Sequence, residues 1–154
     1  MLTIRWLREQ MRQGKSIFDL PLRVTFYARV STEKVEQQGS LENQIQYYTA
    51  FIQKNPNWTY ISGYIDEGIS GTSTYKRDSF LRMIEDAKRG MFDFIITKEI
   101  SRFSRNTLDS IQYTQELLDN NVGVLFQNDN INTLDSDSEF RLIVMAGVAQ
   151  DEVR

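Results

Sequence analysis

The stretch Phe92-Asp93-Phe94-Ile95-Ile96-Thr97 constrains this chain more than any other. A short, nearly continuous apolar run fits a strand covered on both faces, and such strands lie in the middle of parallel sheets. Parallel neighbours need crossover helices, and the flanking sequence supplies them. Arg23 to Tyr27 reads as a first strand rich in β-formers, ending at Ala28-Arg29-Val30-Ser31-Thr32. A helix is predicted from Ser40 as N-cap to about Lys54, with Leu41, Ile45, Tyr48, Phe51 and Ile52 on one face and Asn55-Pro56-Asn57 as its stop. Trp58 to about Asp66 reads as a second strand, followed by a long polar loop around Gly68 and Gly71. Asp78 can cap a helix that runs through Arg89, buries Leu81, Ile84 and Ala87, and stops at Gly90. A helix from about Thr107 to Asn120 and a strand from Val122 to Gln127 complete the alternation. The expected fold is therefore α/β: an open, mostly parallel sheet with right-handed crossovers and helices on both faces.

The two ends stand apart from this pattern. Ile4, Leu7 and Met11 recur at helical spacing before Gly14, so residues 1–21 are expected to form a helical appendage to an α/β domain spanning 22–137. Ser136 and Glu139 resemble a capping box, and Phe140, Ile143, Val144 and Val148 form a stripe behind it. Residues 138–154 carry no stop signal, so the chain is expected to end in mid-helix, as a fragment of a longer protein.

The absences narrow the chemistry. Among 154 residues there is no histidine and no cysteine. Ser-His-Asp and Cys-His catalysis both need an imidazole, and zinc sites normally draw on histidine or cysteine. The 21 carboxylates are scattered rather than set at a ligand spacing, so no metal site is expected. No run of 18 apolar residues occurs and the start lacks the order of a signal peptide, which points to the cytoplasm. The net charge of −3 opposes the basic footprint of a self-sufficient nucleic-acid binder. That objection weakens if positive charge is gathered locally, or if the main DNA-binding segment lies outside the chain.

Positive charge is gathered locally. Ligands of open α/β sheets bind outside the carboxyl ends of the strands. Beyond the first strand lie Arg29, Ser31 and Lys34; beyond the second, Asp66, Glu67 and the loop to Lys76 and Arg77; beyond the third, Lys98, Ser101, Arg102 and Arg105. One rim thus collects seven cations from three segments, and four of them are arginines. Any one could be merely solvated, but their convergence suits a phosphodiester. Guanidinium groups bind phosphate oxygens bidentately and can stabilise a phosphoryl-transfer transition state without a metal. Arg102 and Arg105, three apart, share a face if their segment starts a helix. A serine hydroxyl among these groups is a candidate nucleophile, and which group takes its proton stays open.

Four motifs now carry a family resemblance over about residues 23–154. Tyr27-Ala28-Arg29-Val30-Ser31-Thr32 resembles the nucleophile motif of the serine recombinases, the resolvases, invertases and large serine integrases. Ser40-Leu41-Glu42-Asn43-Gln44 is similar to their next motif, Asp66-Glu67-Gly68-Ile69-Ser70-Gly71 with Arg77 to their active-site loop, and Lys98 to Arg105 to their arginine motif. The resemblance implies that Ser31 attacks a DNA phosphate, leaving a 5′-phosphoserine bond and a free 3′ hydroxyl. Arg29, Arg102 and Arg105 would hold the phosphate, and Tyr27, Gln44, Asp66, Arg77 and Lys98 would contact the DNA around it. It further implies no cofactor, because the phosphoserine conserves the bond for religation. The partners implied are double-stranded DNA and copies of the chain, a homodimer and then a synaptic tetramer, with the helix from residue 138 carrying dimer contacts. The segment before the match and the relaxed loop from Glu33 to Gly39 favour the large integrase or transposon-type branch.

The chain departs from the pattern twice. Many members have Asp where Ser101 stands, and often Arg where Val153 stands, so Glu152 and Arg154 are not carried over as catalytic. Three other readings compete. A non-catalytic dimerisation or regulatory module is opposed by intact Ser31, Arg29, Arg102 and Arg105. A receiver-like domain needs an acidic pocket at strand ends that here carry Ser and Lys. A flavodoxin-like domain needs a compact glycine loop after the first strand.

Overall fold

The computed structural model describes residues 2–31, 36–68, 77–103, 107–139 and 141–145, without the side chains of residues 31, 36–40, 68 and 107. Its elements in order are α1 (Ile4–Arg12), a 3-10 turn (Ile17–Asp19), β1 (Arg23–Ser31), α2 (Glu36–Gln53), β2 (Thr59–Tyr60), β3 (Tyr64–Gly68) and α3 (Asp78–Lys88). Then come β4 (Phe94–Thr97), a 3-10 turn (Ile100–Arg102), α4 (Thr107–Asp119), β5 (Gly123–Phe126) and β6 (Ile131–Asn132). Residues 138–139 and 141–145 are helical and form the C-terminal helix.

The strands lie in the order β2-β1-β4-β5-β6, with β3 also on β1. All pairs are parallel except β5–β6, so the sheet is open and mostly parallel, as the alternation requires. Side chains alternate between its two faces. Val24, Phe26, Ala28, Phe94 and Ile96 join Tyr48 and Ile52 of α2 in one cluster. Tyr27, Ile95, Val124 and Phe126 join Phe80, Met83 and Leu117 of α3 and α4 in the other. Each fully buried Phe or Ile contributes about 1.5–3 kcal/mol. The buried run predicted around residue 95 is thus the middle of the sheet.

Four expectations change, the first being that Leu81, expected on the buried face of α3, is half exposed. The N-terminal helix is not peripheral: Ile4 and Leu7 are buried in the α2-side cluster, and the Ile4 N–H donates to Asn121 Oδ1 at 3.1 Å. Helix α2 starts at Glu36, four residues before Ser40. A cap residue marks where a helix can start, and Glu36, Gln37 and Gln38 are good helix formers ahead of it. The predicted second strand is broken in two. Its first part pairs Arg23 with Thr59 and Val24 with Tyr60, whereas its second pairs Tyr27 with Tyr64, one residue out of step.

That extra residue is a bulge at Ile61-Ser62-Gly63. The Ile61 N–H still reaches the Val24 carbonyl at 2.8 Å, and the Thr25 hydroxyl donates to the Ser62 carbonyl at 3.1 Å. A one-residue slip moves every later side chain to the opposite face. Because of it Asp66 sits beside Arg29 on the α3 side of the sheet rather than beside Val30 on the α2 side. Gly63 is required here: a Cβ on it would lie 2.2 Å from the Phe26 ring.

Candidate active site

The site grows from the carboxyl end of β1. The Ser31 backbone pairs with Gly68 and that of Arg29 with Asp66, so the first two sequence motifs to be joined are joined by the sheet itself. The third arrives from β4. Thr97, the last residue of that strand, donates from its hydroxyl to the Tyr27 carbonyl at 2.9 Å. After Lys98 and Glu99 the chain makes the short turn Ile100–Arg102, whose first N–H is capped by the Asp129 carboxylate at 2.8 Å. This turn sets Arg102 over the end of β1, where its Nη1 donates to the Arg29 carbonyl at 3.1 Å. Arg29, Arg102 and the Ser31 backbone therefore share one end of the sheet. Arg105, Lys34 and Lys76 lie outside the described residues.

Tyr27 and Asp66 are placed differently from the DNA contacts the resemblance implies. Both are buried, 0% and 3% exposed. The Tyr27 hydroxyl donates to Asp66 Oδ2 at 2.7 Å. The same carboxylate accepts the Ser79 N–H at 2.9 Å and the Phe80 N–H at 3.1 Å. Asp66 is therefore the cap of α3, although it lies 13 residues upstream of Ser79. Asp78, the expected cap, is instead the first helical residue, and Arg77 at the cap position makes no side-chain capping bond. A buried carboxylate at a helix N-terminus completes orphan N–H groups and meets the positive end of the dipole, so it outcompetes an exposed local cap. Burial and the Asp66 partner push the Tyr27 phenol well above its ordinary range, with Arg77 and Arg29 pulling the other way.

Arg77 follows from that node. Its Nη2 donates to the Phe103 carbonyl, and its guanidinium lies 4.2 Å from the Phe80 ring centre and 5.6 Å from that of Tyr113. It ties the start of α3 to the end of the turn that carries Arg102. Lys98 and Gln44 are half-buried. The Lys98 carbonyl accepts the Asn128 N–H at 2.8 Å.

Sequence reasoning missed Thr97, Asp129 and Tyr48, all of which support the rim from beneath. Tyr48 was legible only as a core position of α2. It is 1% exposed and stacks on Phe26 with ring centres 4.8 Å apart. Burial drives its phenol above the usual range, while Arg102 opposes that shift. Glu99 accepts from the Ser101 hydroxyl at 3.2 Å and from Asn128 Nδ2 at 3.1 Å, so a carboxylate stands beside Ser101 where the family pattern has one at 101 itself. Among the described residues no three carboxylates gather as a metal-ligand set.

An α/β sheet with arginines from two segments packed over the carboxyl end of its first strand is suited to a negatively charged ligand. Comparison with known proteins agrees. The family described as "Resolvase, N terminal domain" matches residues 24–154. A Bacillus subtilis (strain 168) protein named "Putative DNA recombinase" is 32% identical over 106 residues, 68% of this chain. The chain spans only 20% of that relative's length. Among solved structures, a resolvase family site-specific recombinase from Streptococcus pneumoniae superposes with a TM-score of 0.64 at 28% identity, covering 86% of this chain and 91% of that one. The N-terminal catalytic domain of TP901-1 integrase shares the fold, with a TM-score of 0.56 at 23% identity over 84% of this chain and 95% of its own. The four motifs, the strand order and the family match converge on one conclusion: the chain belongs to the resolvase N-terminal domain family, the catalytic domain of the serine recombinases.

Proposed function

We propose that this domain cuts and rejoins double-stranded DNA, with Ser31 as nucleophile. The Ser31 oxygen attacks a backbone phosphorus, the bond from phosphorus to the 3′ oxygen breaks, and the DNA 5′ end is held as a phosphoserine ester. The 3′ oxygen leaves as a hydroxyl, taking up one proton as the serine gives one up. The reverse attack by a 3′ hydroxyl from another strand rejoins the DNA and frees Ser31, so no outside energy source is consumed. Arg29, Arg102 and Arg105 neutralise the charge that develops on the phosphoryl oxygens. Tyr27 and Asp66 serve this site from within the protein, and Arg77, Lys98 and Gln44 line its approach. Two copies pair through the helix from residue 138, and two pairs form the synaptic tetramer on DNA.

The observation that carries this reading is the bond from Arg102 to the Arg29 carbonyl, which holds two of the proposed phosphate ligands together at the end of the strand that Ser31 closes. The test is a nicked DNA site that traps the covalent state in the full-length protein. Wild type is expected to yield a Ser31 peptide bearing the DNA 5′ end, and Ser31→Ala none. Equal cleavage by the alanine variant would overturn the assignment.

A further inference from the structure

The family match begins at residue 24, so α1 lies outside it. Yet α1 makes two long-range bonds to one place in the fold. Arg8 Nε donates to the Leu134 carbonyl at 3.0 Å and Arg8 Nη2 to the Thr133 carbonyl at 3.2 Å. Those two carbonyls belong to the short connection between β6 and the C-terminal helix. The Thr133 carbonyl also accepts the Ser138 hydroxyl at 3.1 Å, and Ser138 is where that helix starts. The Leu134 side chain, 1% exposed, packs in the same cluster as Ile4 and Leu7. From the other side Gln115 of α4 donates to Glu139 in the helix's first turn at 3.0 Å. Between α1, α4 and the helix base lies an open cleft of about 370 Å³, lined among others by Arg8, Arg12, Gln115, Ser136, Glu139 and Leu142.

The space matters because it leaves room beside the helix base. Beyond the base the helix exposes Ile143, Val144 and Met145 in succession, each more than two-fifths exposed. Leu142, 3% exposed in the α3–α4 cluster, and the bond from Arg141 Nη2 to the Asn130 carbonyl at 2.7 Å also hold this helix, and Arg8 adds two polar anchors at its base. A guanidinium fork fixes two successive carbonyls at once, which a single donor cannot do.

We propose that α1 is a strut for the C-terminal helix, with Arg8 as the positioning residue that locks the Thr133–Leu134 hinge and so sets the helix's direction. The N-terminal segment thereby controls how the exposed row is presented to a second copy. That consequence rests on the proposed pairing through this helix, whereas the strut itself does not. Opening the Arg8 anchors leaves Thr133 bonded to Val124 of β5 and loosens the link from Leu134 to the helix base, with the central sheet intact.

The test uses the full chain without DNA, so its outcome is independent of whether Ser31 cuts. The chain contains no cysteine, so spin labels can be attached at Asp119→Cys on α4 and Val144→Cys on the helix, both exposed. With Arg8 present the distance distribution should be single and narrow, and Arg8→Ala should broaden it, with partial recovery in Arg8→Lys, which keeps a single donor nitrogen and no fork. Amide exchange over residues 133–145 should quicken about tenfold in Arg8→Ala, while β1 and β4 keep the wild-type rate. An unchanged distribution overturns the proposal. So does exchange that quickens equally in β1 and β4, because Arg8 would then contribute only general stability.

Discussion

Replacing Asp66 by alanine should cripple the fold through a carboxylate that sequence reasoning placed on the DNA. Three donors converge on it: the Tyr27 hydroxyl at 2.7 Å and the N–H groups of Ser79 and Phe80 at 2.9 and 3.1 Å. Hydrogen bonds to a charged acceptor contribute about 1.5–3 kcal/mol each, and a buried donor left without a partner costs about 1–3 kcal/mol. Ser79 is half-buried and can recruit water, but Tyr27 and Phe80 are sealed at 0% exposure. Counting the two sealed donors, of which the Phe80 N–H is also the helix cap, gives about 2–6 kcal/mol, a large part of the 5–15 kcal/mol that a domain of this kind possesses. Tyr27→Phe removes one donor and leaves the carboxylate its two N–H partners, so it should cost only about 1–2 kcal/mol. In the Asp66→Asn background, which keeps one acceptor oxygen and stays measurable, Tyr27→Phe should cost less than it does alone, a coupling of about 1 kcal/mol. Urea unfolding followed by circular dichroism on the four proteins of this cycle and on Asp66→Ala reads these differences directly. A loss under about 1 kcal/mol for Asp66→Ala, or strictly additive effects of the other two changes, would refute the node.

Three further outcomes follow from the same geometry. The phenols of Tyr27, Tyr48 and Tyr64 are all raised from 10.0, first by burial, so the fold favours their neutral forms. Their contribution to stability is complete below about pH 10 and declines as pH rises past it, so these three phenols should resist phenolate formation in ultraviolet absorbance until the protein unfolds, and early titration of all seven tyrosines would contradict this. Arg102→Lys should slow DNA cleavage at least about 100-fold, because an ammonium cannot hold the Arg29 carbonyl and a phosphate oxygen in one rigid fork; turnover within threefold of wild type would make Arg102 a bystander. Gly63→Ala should cost about 3 kcal/mol, because the Phe26 ring that its Cβ would meet is stacked between Tyr48 and Tyr60 and cannot retreat; a thermal midpoint within a degree or two of wild type would show that the bulge yields.

The sequence by itself determined the layers and the order of events along the chain. The apolar run at 94–97 could only be an inner strand, the periodic stretches around it could only be its covering helices, and the rule for open sheets then named the edge where Arg29 and Arg102 meet. Those are local signals, set by which side chains repeat at a period of 2 or 3.6 residues. What a period does not encode is which distant group completes a hydrogen bond. Only the tertiary structure decided that a bulge at 61–63 turns Asp66 to the α3 side, that Asp66 rather than Asp78 caps that helix, and that Arg8 reaches the base of a helix more than a hundred residues later. Each of these depends on strand order and on a burial cost that exists only once the sheet and its helices have closed around the group.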